Sequence, residues 1–114
     1  MEKIATAVDA LDALAHEGRL RLFRLLVRKG PTGMAAGDLA RKLDVQPSTL
    51  SASLTVLAHA GLVTSRRDGR SIIYSADVAR MARLLEFLVA DCCDGRPEIC
   101  APLAGLAKRA ACCP

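Results

Sequence analysis

The sequence is poor in aromatic residues and has no long apolar run that is free of charge. Tryptophan is absent, and aromatic residues make up 3% of the 114 residues, whereas 52% are hydrophobic. A core of aliphatic side chains suits packed helices better than a β-sandwich. Since no run reaches the roughly 18 apolar residues of a membrane span, a spanning segment is excluded. The start, Met1-Glu2-Lys3, lacks a secretory signal pattern, so we expect a cytoplasmic protein.

Cysteine is missing from the whole sequence before position 92. The five cysteines are Cys92, Cys93, Cys100, Cys112 and Cys113. An odd number of cysteines in a cytosolic chain argues against a disulfide framework and indicates thiol chemistry or metal binding. The net charge of +4 is mildly basic and suits a polyanionic partner. We predict a body over residues 1–90 and a cysteine-rich sensing tail over residues 91–114.

Hydrophobic spacing predicts a mainly α-helical body with a small β-hairpin. Four helices are expected near residues 4–15, 17–28, 35–43 and 46–60. Two β-type runs, 62–67 and 70–75, flank Asp68-Gly69, a dipeptide typical of a two-residue hairpin turn. A fifth helix is expected from Val78, with Asp77 as its cap. This order of elements is that of a winged helix-turn-helix.

The fourth predicted helix has the surface expected of a helix that enters the DNA major groove. Small hydroxyl side chains allow close approach and reach phosphates and base edges. The candidate contacts in or near this helix are Gln46, Ser48, Thr49, Ser51, Ser53 and His59. The hairpin adds Arg66, Arg67 and Arg70, whose cations suit phosphates or the minor groove. Each of these residues taken alone is more often a solvated surface residue, but the ordered set of elements favours double-stranded DNA as the partner.

No residue set in the body supports catalysis, so we do not expect an enzyme. The two histidines, His16 and His59, have no nucleophile near them in sequence. We interpret His16 as a structural residue at the junction of the first two helices.

Four segments of this chain resemble, in order, the ArsR/SmtB family of metal-responsive repressors. They are LAHEGRLRL (14–22), DLA (38–40), QPSTLSASL (46–54) and LAHAGLV (57–63). The resemblance extends over about Val8 to Val89. It implies a homodimer built on the first and last helices, near residues 4–15 and 78–92. It also implies operator binding without metal and release when metal binds. One departure is Asp44, where the turn of family members often has Gly.

The resemblance also directs attention to the end of the last helix. Founding arsenic sensors of the family carry cysteines on the third helix, and zinc sensors carry Asp and His on the last one. Residues 35–43 here contain no Cys, and residues 78–89 contain no His. The segment DCCDGRPEIC (91–100) is similar to a subgroup that binds arsenic(III) after the last helix.

The spacing of this segment is chemically consistent with that site. Cys92 and Cys93 cannot encircle an ion alone, because adjacent helical residues lie about 100° apart. Gly95 and Pro97 break the helix, so that Cys100 can close a third side. Three soft thiolates without an imidazole favour As(III), and by the same logic Sb(III), over four-coordinate Zn(II). Cys112 and Cys113 remain a possible second metal or thiol site.

Other interpretations keep some of these residues and change the signal. The same fold would serve as a sensor of Cd(II), Pb(II), a methylated arsenical or a thiol oxidant. An interpretation from another class is a thiol carrier that delivers metal to an efflux pump and binds no specific DNA. Cys100 distinguishes inorganic As(III) from a monomethylated arsenical, because two thiols suffice for the latter.

Overall fold

The computed structural model describes residues 3–89 of the chain. The chain divides into two units, Met1–Leu84 and Leu85–Pro114. The described part of the first unit contains four helices, a three-stranded sheet and the start of a fifth helix. In the second unit the described residues are 85–89, the last ones of that fifth helix. The predicted cysteine tail, 91–114, lies outside the described residues, so the domain boundary at residue 90 stays a prediction.

The first two helices form where the apolar spacing predicted them. Helix α1 spans Ile4–Leu14 and helix α2 spans Glu17–Lys29. The buried residues of α2 are large: Leu22, Phe23, Leu25 and Leu26. Those of α1 are all alanines: Ala7, Ala10 and Ala13. The small alanine face lets α1 lie close to the core, and it leaves the large aliphatic residues of α1 on another face.

The helix-turn-helix is formed by α3 (Ala36–Leu43) and α4 (Pro47–His59). Asp44 ends α3 in the left-handed region, with φ of 55°. This conformation favours glycine, which explains why a glycine suits this turn. Pro47 begins α4 at a position that needs no N–H donor. Leu50, Leu54 and Leu57 of α4 are all buried, so the hydrophobic spacing that predicted a helix near residues 46–60 is confirmed.

The sheet has three strands, one more than the sequence analysis predicted. The strands are β1 (Met34–Ala35), β2 (Val63–Asp68) and β3 (Ser71–Ala76), in the antiparallel order β1-β3-β2. Strand β1 was missed because two residues carry no periodicity and become a strand only by pairing with β3. A single 3₁₀ turn, Gly30–Thr32, joins α2 to β1.

The hairpin turn lies one residue later than predicted. Asp68 pairs with Ser71, so the two turn residues are Gly69 and Arg70. Gly69 has a φ of 64°, and among the described non-glycine residues only Asp44 has a positive φ. Positive φ at the first turn position alone is the pattern of a type II′ turn, which takes glycine there. In a type I′ turn, which an Asp-Gly dipeptide favours, both central residues would instead have positive φ.

Helix α5 spans Val78–Val89 and begins at the predicted cap. The Arg80 N–H donates a 3.0 Å hydrogen bond to Asp77 Oδ1. The Arg80 side chain is buried, and its Nη2 donates to the Thr6 carbonyl oxygen of α1 at 3.1 Å. This bond joins the start of α5 to α1.

Within residues 3–89, none of the helices combines the length and apolar character that crossing a membrane requires.

Candidate nucleic-acid interface

The buried leucine stripe of α4 determines which of its side chains face outward. At about 100° per residue, the face directly opposite the leucines carries Ser48, Ala52 and His59. All three are exposed. Of the predicted DNA contacts in this region, the exposed ones are Gln46, Ser48, Thr49, Ser51 and His59. The helix therefore presents a surface of small polar side chains and one imidazole.

Two hydroxyl-bearing residues on α4, Thr55 and Ser53, are less available to a partner than the others. The Thr55 hydroxyl donates a 2.9 Å hydrogen bond to the carbonyl oxygen of Ser51, one turn earlier. Ser53 is only half-exposed and lies on the flank toward α2. There it lines a cavity of about 90 Å³ together with Thr49, His16 and other residues. Ser53 is thus the predicted contact that points least toward solvent.

The two faces of the hairpin, here called the wing (residues 63–76), have different surroundings. Tyr74 pairs with Ser65 and lines a cavity together with residues of α3 and α4. Because side chains alternate along a strand, Arg67 lies on the same face as Tyr74. Arg67 pairs with Ile72, which is also exposed. Arg66 lies on the opposite face of the wing.

Arg66 makes hydrogen bonds on that opposite face. Its Nη2 donates to the Thr32 carbonyl oxygen at 2.8 Å, and its Nη1 donates to the Pro31 carbonyl oxygen at 3.2 Å. These partners are 34 and 35 residues away in sequence, so no local pattern could have identified them. All three wing arginines are exposed. Within residues 3–89, however, Arg66 is the one of the three whose side chain makes hydrogen bonds to the protein.

A second exposed surface of the first unit is apolar and lies on α1. Ile4, Val8 and Leu11 are 69%, 55% and 40% exposed, and they follow the i, i+4, i+7 spacing of one helix face. Near the start of α5, Val78 is 52% exposed. In the second unit, Leu85 and Leu88 of α5 are also exposed.

The predicted metal ligands Cys92, Cys93 and Cys100 lie outside the described residues, as do Cys112 and Cys113. Between residues 3 and 89, no three His, Cys, Asp or Glu side chains are grouped so that they could hold a metal ion.

Comparisons with known sequences agree with the helix-turn-helix. A family model described as a helix-turn-helix domain matches residues 14–66. The biofilm growth-associated repressor of Agrobacterium fabrum is 42% identical over 94 residues, which cover 82% of this chain and 78% of that protein. A putative arsenical resistance operon repressor of Halobacterium salinarum is 41% identical over 63 residues, 55% of this chain and 48% of that protein. These relatives are named as repressors, which confirms the prediction of a regulator rather than an enzyme.

Solved structures agree with the fold. An ArsR-like transcriptional regulator from Rhodococcus sp. RHA1 has a TM-score of 0.70 and 27% identity, with 93% of each chain covered. A homodimeric winged helix-turn-helix DNA-binding domain from Mycobacterium bovis has a TM-score of 0.62 and 28% identity, covering 77% of this chain and 82% of that one. The predicted winged helix-turn-helix is thereby confirmed.

Proposed function

Because the chain belongs to the ArsR family of helix-turn-helix transcriptional regulators, we propose that it is an arsenic(III)-responsive repressor. In this proposal a homodimer binds operator DNA without metal and releases it when As(III) binds three cysteine thiolates. The DNA-binding half of the proposal is carried by the exposed polar face of α4. The sensing half is carried by the cysteine spacing of residues 92–100.

Operator recognition is assigned to α4 and the end of the wing. Ser48, Ala52 and His59 face outward from the buried leucines. Ser48 and Ala52 are small enough to let the helix approach the base edges closely. Gln46 and Thr49 stand at the exposed start of the same helix. The exposed Arg67 and Arg70 are suited to the phosphates that flank the groove. In this assignment α4 recognises the base sequence of the operator, and the wing arginines supply much of the electrostatic affinity for the DNA backbone.

Homodimerisation is assigned to α1 and α5. The stripe of Ile4, Val8 and Leu11 is an unusually apolar exposed surface for a helix whose other outward face carries Asp9 and Asp12. A second copy of this chain would remove it from water. Dimerisation would also set the distance between two copies of α4, which must lie about one helical turn of DNA apart. The homodimeric M. bovis domain supports this assembly by similarity.

The inducer is assigned from the chemistry of the cysteines. Cys92, Cys93 and Cys100 supply three soft sulfur donors, and the segment between them contains no imidazole to complete a four-coordinate zinc site. As(III) takes three sulfurs and retains a lone pair, and Sb(III) shares this preference. Similarity to an arsenical resistance operon repressor supports the same inducer.

Release is proposed to act through α5. Val78, Met81, Leu85 and Leu88 lie on one face of this helix, and the sequence continues the same spacing to Cys92. Binding at the end of an element that sets the dimer geometry would displace the two copies of α4 from adjacent major grooves. The coupling is reciprocal, so operator DNA must weaken As(III) binding by the factor by which As(III) weakens DNA binding.

The test is an anisotropy titration of a labelled duplex taken from DNA upstream of the coding sequence. We expect tight binding without arsenite, and a Kd that arsenite raises by roughly 5- to 150-fold, the usual range of allosteric coupling. Cys92→Ser, Cys93→Ser and Cys100→Ser should each bind the duplex normally and lose the response. The matched controls are the single variants Cys112→Ser and Cys113→Ser. Each removes one sulfur, as each site variant does, and each should keep the response to arsenite.

Other results would replace parts of the proposal. A normal arsenite response in all three site variants would refute the assigned ligands. If Cys100→Ser lost the response to inorganic As(III) but kept a response to a monomethylated arsenical, Cys100 would be established as the third ligand of As(III). Release by hydrogen peroxide alone would identify a thiol oxidation switch. Arsenite binding without any sequence-specific DNA binding would identify a thiol carrier.

A further inference from the structure

Arg66 belongs by sequence to the cluster of wing arginines, but its guanidinium is occupied by the protein. Two nitrogens of the group bind two consecutive carbonyl oxygens, Thr32 at 2.8 Å and Pro31 at 3.2 Å. Nη1 also lies 3.5 Å from Ser75 Oγ, and that hydroxyl in turn donates to the Pro31 carbonyl oxygen at 3.4 Å. Charged donors make the stronger hydrogen bonds in proteins, and a planar guanidinium is suited to two neighbouring acceptors.

The partners of Arg66 lie in the 3₁₀ turn at the end of α2, where the backbone runs close to the wing. Gly33, which follows this turn, has a φ of 70°. A Cβ placed on Gly33 would lie 2.3 Å from the Tyr74 carbonyl oxygen and 2.6 Å from Ser75 Oγ. Strand β3 therefore lies directly against the turn, and the Arg66 guanidinium closes the same junction from strand β2.

The direction of the Arg66 side chain supports the same role. It lies on the face of the sheet opposite Tyr74, and Tyr74 is the residue that lines a cavity with α3 and α4. Arg67 lies on the Tyr74 face, is exposed, and makes no side-chain hydrogen bond or salt bridge with residues 3–89. The two adjacent arginines thus point to opposite sides of the wing.

We infer that Arg66 is a positioning residue: it fastens the wing to the 3₁₀ turn, and Arg67, beside it, contacts the DNA backbone. This inference rests on the proposed DNA binding and deepens it. The wing is a two-stranded projection beyond a two-residue edge strand, and such a ribbon is only marginally ordered without further contacts. Because the Arg66 hydrogen bonds hold the wing against the 3₁₀ turn, Arg67 and Arg70 have less conformational freedom to lose when they bind DNA.

The salt dependence of DNA binding distinguishes the two arginines. Arg66→Gln and Arg67→Gln remove the same charge from adjacent positions, so long-range electrostatics is matched. The slope of log K against log salt is negative, and losing one phosphate contact reduces its magnitude by about 0.9. The reduction is about 1.8 when both subunits of a dimer lose the contact. We expect this decrease for Arg67→Gln. For Arg66→Gln we expect an unchanged slope, with an affinity weakened by roughly three- to tenfold at every salt concentration, because the wing has to be ordered on binding.

Ser75→Ala provides an independent variant that leaves every charge in place. Because Ser75 Oγ shares the junction with Arg66, its removal should weaken DNA binding in the wild type and have no added effect in Arg66→Gln. A phosphate contact by Arg66 predicts the opposite pattern: a decrease in slope equal to that of Arg67→Gln, and no effect of Ser75→Ala. That pattern would overturn the inference.

A measurement without DNA keeps the inference separate from the proposed function. Hydrogen–deuterium exchange of peptides from residues 63–76 should be faster by at least about threefold in Arg66→Gln, and unchanged in Arg67→Gln, because opening of the wing exposes its amides. Equal exchange in the two variants would refute the fastening. If the wild-type protein bound no duplex at all, the proposed function would fail, and the exchange result would still decide whether Arg66 holds the wing.

Discussion

Helices α1 and α4 differ in which side chains they bury and which they expose. Helix α4 buries three leucines and exposes serine, threonine, alanine and histidine. Helix α1 buries three alanines and exposes isoleucine, valine and leucine. A helix that exposes its larger apolar residues is suited to a protein partner, whereas small polar residues allow close approach to DNA. The difference shows that a helix's apolar spacing identifies the helix, but does not say whether its apolar face is a core or an interface.

The largest expected effect is on the core side of α4. Leu57 is completely buried, so Leu57→Ala should lower the free energy of unfolding by about 2–5 kcal/mol through lost burial and a cavity. The measurement is urea denaturation followed by circular dichroism. Val56→Ala, on an exposed position of the same helix, should cost less than about 1 kcal/mol. Equal losses would contradict the assignment of the buried face.

The buried face of α1 has no room for a leucine, whereas the buried face of α4 consists of leucines. Ala10 is fully buried, and Ala10→Leu should destabilise the protein by about 1–3 kcal/mol, because the close packing of α1 leaves no volume for the added atoms. Ala5→Leu adds the same atoms at an exposed position and serves as the control. A neutral Ala10→Leu in the same denaturation assay would show that α1 is loosely packed.

The exposed stripe of α1 should matter for assembly. Val8→Glu places a charge in the proposed dimer interface and should raise the dimer dissociation constant at least tenfold, about 1.4 kcal/mol. Sedimentation velocity over a range of concentrations measures this change, and circular dichroism should show unchanged helix content. Ala5→Glu adds the same charge on the side of α1 that carries Asp9 and Asp12 and should leave the dimer intact. Dissociation by both variants would point to a general effect of charge.

The smallest effect is expected on the outer face of α4. Ser48→Ala should weaken operator binding by about 0.5–1.5 kcal/mol per subunit, the usual net value of a hydrogen bond. Thr55→Val is the matched control, because the Thr55 hydroxyl is already bonded to the Ser51 carbonyl oxygen. Anisotropy titrations at one fixed salt concentration compare the two variants. A larger loss for Thr55→Val would assign the DNA contact to a position two turns further along the same face of α4.

Much of the fold was predictable because its signals are local. The hydrophobic spacing of α4 and the Asp77 cap of α5 each act within a few residues, and both are confirmed. Strand β1 was missed, and the hairpin turn was predicted one residue too early. The strand exists only through its partner, and the turn depends on which residues of the two strands pair.

The residues of the candidate site also fall into those that local sequence identifies and those that depend on contacts with distant segments. The exposed face of α4 follows from helix geometry once the leucine stripe is identified, so Ser48 and His59 could be selected from the sequence. The role of Arg66 could not, because its acceptors on Pro31 and Thr32 are distant along the chain. The half-exposed position of Ser53 likewise depends on the approach of α2.

Sequence by itself determined the five helices, through their hydrophobic periodicity, and the hairpin, through its turn residues. It also determined that all five cysteines come after residue 91, close enough in the chain to be considered as ligands of one ion. Only the tertiary structure decided that α1 buries its alanines, that a third strand completes the sheet and that adjacent wing arginines face opposite sides. The physical reason is that these features are set by contacts between segments far apart in the chain, and such contacts leave no trace in the local order of residues.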